Sequence, residues 1–336
     1  MATPVRKTVF TESDAYKWKN DPYRGEFAIP FETYKEMFKS RVIFKRENGI
    51  LEARLHTDGG EFMWGGPSHK LLHFMFTICG WDHDNEVFIL GATGKDFFRG
   101  IDRSSRKEDL SDTKTFIKAY DETTENAWRL YEYSYYDGTN NIEGAMFDLE
   151  IPSIGIWNGA AFHSDIFLFT DITLATEDAW TTDMHFRINM VPGDGIQIAW
   201  RELMGRKRFA YAELTGEIIS ARKALRYGMI NEIQPDLDAC YKRAWEIAEL
   251  IMLSGTRVTR RITTQILRAP WKTDISWELR NGFSTEMYVT ATENSPHDNA
   301  HWIGAKQEAA AVLAAEKKGK IVRPRVGPFI EEDEIK

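Results

Sequence analysis

The 336-residue sequence predicts an α/β protein with a parallel, layered core. Three observations carry this expectation. Strand-like and helix-like stretches alternate between residues 41 and 235, the first predicted central strand is apolar throughout, and long amphipathic helices follow with no strand between them. A composition that is 43% hydrophobic and 28% charged supports a sizeable core, and the length permits one large domain or two ordinary ones.

Alternation in Arg41–Arg46 and again in Ile50–His56, separated by Glu47-Asn48-Gly49, reads as strand, turn and strand. After the loop 57–66, the stretch from Pro67 to Gly80 carries apolar residues at 71, 72, 74, 75 and 78. Proline near its start and glycine at its end are helix start and stop signals. Val87-Phe88-Ile89-Leu90 reads as a short buried strand, followed by the glycine-bearing turn Gly91–Gly94. The pattern repeats with strand Ile154–Trp157, a helical stretch after Ser164, strand Ile172–Ala175, a helix from Gly195 to Met204, and strand Asn231–Ile233.

From Leu237 to about Thr292 the pattern is helical, a region expected to pack on the core or on another subunit. One more helix, Trp302 to Lys318, precedes a tail from Arg323 to Glu334 whose prolines and charge blocks read as an extended arm. The expected organisation is an N-terminal extension (1–40), a core (41–235), a helical region (236–292) and a C-terminal extension (293–336). No internal repeat or low-complexity tract is present.

Forty-three Lys and Arg against 51 Asp and Glu give a formal charge of −8, with the basic residues scattered. A nucleic-acid partner is disfavoured, because phosphate neutralisation needs a basic footprint. No window approaches the roughly 18 uninterrupted apolar residues of a membrane span. Met1 to Asn20 mixes charges with single aromatics and lacks the apolar run of a secretory signal, so a cytoplasmic protein is expected. Cys79 and Cys240 each sit in an apolar helical pattern, which suits buried thiols in a reducing compartment better than a disulfide. His69 and His73 fall at i and i+4 on the predicted helix, as paired zinc ligands do. No glutamate lies between them and no nearby cysteine or carboxylate completes a set, so no metal or other cofactor is expected.

The most informative segment runs from Ile151 to Ile233. It contains Ile151-Pro-Ser-Ile-Gly-Ile-Trp-Asn-Gly-Ala160, then Val191-Pro-Gly-Asp-Gly195, then Leu214-Thr-Gly-Glu-Ile-Ile-Ser-Ala-Arg-Lys-Ala-Leu-Arg-Tyr-Gly-Met-Ile-Asn-Glu-Ile233. Together these resemble the crotonase (enoyl-CoA hydratase/isomerase) superfamily: a strand ending in Asn-Gly, a Pro-Gly turn, and Thr-Gly with a following helix and strand. Upstream, Gly91 to Asp102 resembles the family turn that supplies one backbone N–H to an oxyanion. The resemblance spans roughly Arg41 to Thr292. It implies a ββα spiral core and a C-terminal helical trimerisation region, and hence a homotrimer or dimer of trimers.

The departures from the family pattern are informative. Hydratases follow Asn-Gly with a triple-glycine loop, whereas Gly159-Ala-Ala-Phe-His-Ser-Asp165 has none and is shorter, so the usual thioester oxyanion hole looks compromised. Counting back from Pro192, the position of one hydratase glutamate matches His185, and the other matches Asp165. A two-glutamate hydration is not supported. The substitutions resemble the 6-oxocamphor hydrolase-type β-diketone hydrolases, through His56-Thr-Asp-Gly, Phe62-Met-Trp64, Ser68-His69, Asn158-Gly ending in His163, His185-Phe186 and the Pro-Gly-Asp-Gly turn. By this resemblance His185 is the base, Asp194 its partner and His163 a catalytic donor, while Trp64, His69 and Glu286 bind substrate.

Each assignment has a plainer competitor. His185 follows a polar loop, where a solvated histidine is ordinary. Asp194, between two glycines before a helical stretch, suits an N-cap. His163 is either a side-chain donor or a packed residue at a helix start, Trp64 either a ketone donor or core, and Glu286 either a site carboxylate or a surface helix residue. The resemblance implies retro-Claisen cleavage of a small, apolar, cyclic β-diketone to a keto acid. Two alternatives stand beside it: a CoA-thioester hydratase, isomerase or hydrolase of the same fold, and a non-catalytic interaction subunit.

Overall fold

Asn48 and Gly49 both take up left-handed backbone, with φ of 51° and 81°. That is the geometry of a two-residue hairpin loop whose twist matches its strands. They join β1 (Val42–Glu47) to β2 (Ile50–Leu55), with Glu47 opposite Ile50. This computed structural model describes residues 29–64, 66–101, 142–292, 299–326 and 331–333. In front of the hairpin, α1 (Phe31–Met37) buries Tyr34 edge-on against Phe44.

After the hairpin every strand of the long sheet is parallel to its neighbour. The order is β1-β2-β4-β6-β8-β11, with β4 Val87–Ala92, β6 Ser153–Trp157, β8 Ile172–Thr176 and β11 Glu232–Gln234. Every residue of β4 and β6 is buried, as a parallel sheet covered on both faces requires. Between these strands run α2 (Gly66–Trp81), α3 (Ile142–Phe147), α4 (Asp165–Leu168), α5 (Ile196–Met204), α6 (Arg206–Thr215) and α7 (Ala221–Tyr227). One face of the sheet packs under α8 (Leu237–Met252), whose Cys240, Tyr241, Ala244 and Ile247 meet Ile89, Ile154, Ile156 and Leu174. The other face holds the larger cluster, including Cys79, Phe88, Leu90, Trp157, Phe167 and Trp200. The two cysteines therefore sit in different clusters as free, buried thiols.

Four strands of the long sheet each give way to a two-residue strand that leaves it. β3 (Met63–Trp64) follows β2, β5 (Gly100–Ile101) follows β4, β7 (Ala160–Ala161) follows β6, and β9 (Trp180–Thr181) follows β8. β3 pairs with β5, and β7, β9 and β10 (Ile219–Ser220) form a second sheet. Strand, short strand and helix thus repeat as a ββα spiral. Two residues carry no periodicity, so these short strands leave no trace in the hydropathy pattern.

The helical region holds α8, α9 (Arg257–Asp274), a π-helical turn at Ile275–Leu279 and α10 (Arg280–Thr292). α11 (Asn299–Lys317) covers the small sheet, packing Ala305, Ala309, Val312 and Ala315 on Ala160, Trp180 and Ile218. The tail expected to be an extended arm instead folds back. β12 (Lys320–Val322) pairs antiparallel with β13 (Glu331–Asp333), setting basic Lys320 opposite acidic Asp333 in the register. Residues 327–330 and 334–336 of that tail lie outside the described residues. Among the described residues no helix is long and apolar enough to cross a membrane.

Candidate active site

The ends of the short strands converge on one buried cluster. Trp64 closes β3, His163 follows β7, Asp183 and His185 follow β9, Asp194 lies before α5, and Glu286 enters from α10. Three of the short strands, β3, β7 and β9, lead into the cluster. All are buried or nearly so, and Glu286, which the sequence left open to a surface reading, is only 5% exposed. That surface reading is corrected: Glu286 Oε1 lies 3.7 Å from His185 Nε2.

His185 is held from both ring nitrogens. Its Nδ1 lies 2.7 Å from Asp183 Oδ1, and the same oxygen accepts from the His185 backbone N–H at 2.9 Å. Nε2 faces two more carboxylates, Asp194 Oδ2 at 3.6 Å and Glu286 Oε1 at 3.7 Å. The solvated-histidine reading is thereby excluded. The carboxylate on Nδ1 is Asp183, while Asp194, the expected partner, faces Nε2 and spans the two histidines. Its Oδ2 lies 3.2 Å from His163 Nδ1 as well. Asp194 does not cap α5, whose N-cap position is Gly195 with no side-chain cap bond.

His163 lies between an aromatic wall and an acidic floor. Its ring lies tilted by 32° against Trp64 with centroids 4.4 Å apart and meets Phe98 and Phe162 at 6.1 Å and 5.0 Å. Nδ1 faces Asp194 and, at 3.6 Å, Asp165 Oδ1. The two imidazole rings stand nearly perpendicular, 6.3 Å apart. The backbone of His69 lies on α2, but its side chain falls outside what is described, so its assignment stays an expectation.

Why Asp194 and Glu286 meet is a matter of two glycines. A Cβ on Gly282 would stand 2.6 Å from the carbonyl oxygen of Gly193, and one on Gly193 would stand 2.5 Å from the Gly282 carbonyl carbon. The loop carrying Asp194 thus lies backbone to backbone on α10, one turn before Glu286, an approach only glycine permits. On the other side, Arg187, two residues past His185, donates to the Gly216 carbonyl oxygen and pairs with Glu308 of α11. These contacts fix the loop that carries His185.

The electrostatics follow from five carboxyl groups and two imidazoles in one buried space. Burial alone pushes His185 down, but Asp183, Asp194 and Glu286 together outweigh it and raise its pKa well above the ordinary value. His163 is raised in the same way, burial being overcome by Asp194 and Asp165. Burial and the Asp194 charge drive Glu286 far up, and burial with the Asp183 charge lifts Glu213 to about 9. The neighbouring acids thus favour protonation of both imidazoles, while burial and crowding favour protonated Glu286 and Glu213.

His185, Asp194 and Glu286 offer ligand atoms within 4.8 Å of one another, a spacing a divalent ion spans. Ligation would need the lone pair of Nε2, which the surrounding carboxylates draw towards a proton, so proton sharing competes with metal binding there. The amides of Lys95, Phe97, Phe98 and Arg99 donate to Glu61, Asn158, Ala160 and Phe62, so they already have partners within the fold. Sequence reasoning missed Asp183 and Glu213. The signal was Asp two before His185, but Glu213 comes from a helix with no motif.

The family model described as enoyl-CoA hydratase/isomerase matches residues 91–291. The curated protein named probable peroxisomal enoyl-CoA hydratase 1 of Arabidopsis thaliana is 25% identical over 187 residues, 55% of this chain and 62% of that protein, so the match spans less than two thirds of the relative. A β-diketone hydrolase from the cyanobacterium Anabaena, solved bound to (S)-3-oxocyclohexyl acetic acid, is 30% identical over 76% of this chain and 97% of its own, with a TM-score of 0.67. An enoyl-CoA hydratase/isomerase from Mycobacterium paratuberculosis, 19% identical over 76% of this chain and 95% of its own, shares the fold with a TM-score of 0.63.

Proposed function

This chain belongs to the enoyl-CoA hydratase/isomerase family of the crotonase superfamily, and from that premise we propose that it hydrolyses a carbon–carbon bond of a cyclic β-diketone. One observation carries the reading. Where hydratases keep a glutamate, His185 stands among three acidic side chains with a second histidine, His163, opposite it. The 30% identity to the Anabaena β-diketone hydrolase supports it. A keto acid of the type that protein binds is what water makes by opening a bicyclic 1,3-diketone.

In the proposed reaction, neutral His185 takes a proton from water at Nε2 while the water oxygen bonds to one carbonyl carbon. The tetrahedral adduct expels the carbon between the carbonyls, and the electron pair of the broken bond passes to the second carbonyl as an enolate. The His185 imidazolium then returns its proton to the enolate carbon, leaving one ketone and one carboxylic acid. Asp194 and Asp183 stabilise the imidazolium, and Trp64 and His163 donate to the oxygens that become negative. Such donors typically contribute about 2.7 to 4 kcal/mol each to the barrier. The residues require no cofactor for this sequence of steps.

The protein is further proposed to act as a homotrimer. α9 buries Arg257, Arg260 and Arg268, which bind Glu86 and Asp171 of the core, and exposes Val258, Ile262, Ile266 and Leu267. A helix that hides its arginines and bares its aliphatic stripe suits a partner subunit.

The functional test is a side-by-side assay of a bicyclic 1,3-diketone and a short enoyl-CoA ester. Diketone cleavage that disappears in His185→Gln and Asp194→Asn, both folded, supports the reading. Turnover of the enoyl-CoA alone would replace it with a thioester activity.

A further inference from the structure

The proposed chemistry leaves the buried imidazole of His56 without a task. His56 follows β2 and is 3% exposed. Its backbone N–H donates to the Arg41 carbonyl oxygen at 2.8 Å. On the ring, Nδ1 accepts the Gly59 backbone N–H, also at 2.8 Å. A ring nitrogen that accepts must keep its lone pair, so His56 in this arrangement is neutral and carries its proton on Nε2.

The bond from Gly59 closes a sharp reversal of the chain. Asp58 and Gly59 both take left-handed backbone, with φ of 49° and 84°. Asp58 N–H donates to the Ser40 carbonyl oxygen and Gly60 N–H to that of Thr57, both at 2.9 Å. Beyond the reversal the loop is tied three times. Thr93 Oγ1 donates to the Gly60 carbonyl oxygen at 2.7 Å, Met63 N–H donates to Thr57 Oγ1 at 3.0 Å, and Arg99 N–H donates to the Phe62 carbonyl oxygen at 3.0 Å. The next residue is Trp64, whose indole stands edge-on to buried Phe62 and lies against His163. The His56 ring thus sits at the start of a short, fully tied path that ends on a substrate-facing donor.

We propose that neutral His56 is a positioning residue for Trp64: by accepting the Gly59 N–H at Nδ1 it closes the turn from which the loop to β3 is hung. The role of Trp64 as a donor to substrate rests on the proposed function; the turn and its imidazole do not.

The charged groups facing the ring are Asp58 within the turn and Arg41 before β1. Burial pushes the His56 pKa below its ordinary value, and Arg41 adds to the fall against the Lys39 backbone and the Asp58 charge. The bond is therefore fully held above 6.5 and weakens as pH falls towards the lowered value, where a protonated Nδ1 would set N–H against N–H. His185 moves the opposite way, raised by its carboxylates. Since His185 governs the acid range of the rate, the state of His56 is read directly.

Two substitutions separate the acceptor from the ring. His56→Asn sets an amide oxygen near the place of Nδ1 and accepts the same N–H without titrating, whereas His56→Leu fills the space and accepts nothing. The experiment joins nitrogen NMR of histidine-labelled full-length protein, in which the His56 signal is the one lost in His56→Asn, with hydrogen exchange of segment 57–64 by mass spectrometry and steady-state diketone cleavage. The expected result is an Nε2–H tautomer at neutral pH with a midpoint below 6.5. His56→Asn should keep exchange and kcat within about threefold of wild type, while His56→Leu should exchange about tenfold faster and lose about tenfold in kcat with a smaller change in KM. An Nδ1–H tautomer, a midpoint at or above 6.5, a His56→Asn variant as impaired as His56→Leu, or a folded His56→Leu that behaves as wild type overturns the inference. Should circular dichroism show His56→Leu unfolded, the tautomer and the asparagine variant decide. If the wild type cleaves no diketone, the proposed function falls, and tautomer and exchange still decide whether His56 closes the turn.

Discussion

Replacing Gly193 by alanine tests whether backbone contact sets the catalytic geometry. The new methyl carbon would stand 2.5 Å from the Gly282 carbonyl carbon and 2.9 Å from Glu286 Cβ, whereas ordinary contact begins at 3.4 Å. Relief requires the Asp194 loop and α10 to separate by about 1 Å, and a displacement of that size in a catalytic group costs about 100-fold in rate. That factor corresponds to about 2.7 kcal/mol of barrier. The same movement lengthens the contacts of Nε2 with Asp194 and Glu286, now 3.6 and 3.7 Å. Steady-state kcat/KM for cyclic-diketone cleavage, beside a thermal melt, measures both effects. Gly304→Ala is the control, since a Cβ on Gly304 in α11 meets nothing within 4 Å. Rates for Gly193→Ala within twofold of wild type would refute the positional argument.

Three further outcomes are expected. The kcat/KM profile should rise with pH through an apparent pKa above 6.5, because the neighbouring carboxylates stabilise the imidazolium and only neutral His185 accepts a proton. Asp183→Asn removes the largest of those charges, so its acid limb should move to lower pH in a stopped-flow pH series; an unmoved limb contradicts the assignment. Trp64→Phe keeps an aromatic ring beside His163 but loses the indole donor, and should lower kcat for diketone cleavage by about 100-fold or more with a smaller change in KM. Ile262→Glu with Ile266→Glu places charges on the exposed stripe of α9 and should shift the sedimentation velocity pattern from trimer to monomer, whereas an unchanged sedimentation coefficient assigns that stripe another role.

The long sheet was legible because its central strand β4 is a continuous apolar run, its hairpin strands alternate and the turn between them demands unusual backbone, as Asn48-Gly49 shows. The two-residue strands were not, since pairing partners far apart in sequence define them, as Ala160 with Trp180 does. Of the site, His185, Asp194 and His163 were reached through neighbouring motif residues, and the structure gathers them. Glu286 had only a short motif, and the glycine contact with the Asp194 loop is what draws it inward. Asp183 escaped because its role lies in a side-chain contact with the ring two residues on, inside a loop, which no periodicity encodes. The carboxylate that reaches Nδ1 is the near neighbour Asp183, while Asp194, the partner the resemblance implies, faces Nε2.

The most direct measurement follows the water. Purified protein is incubated with a bicyclic 1,3-diketone in water enriched in the heavy oxygen isotope, and the product is weighed by mass spectrometry after a single turnover. The account predicts a keto acid carrying one heavy oxygen in its carboxyl group, formed by wild type and by neither His185→Gln nor Asp194→Asn. Unchanged diketone beside the wild-type protein, or equal heavy-oxygen product from folded His185→Gln, would contradict it.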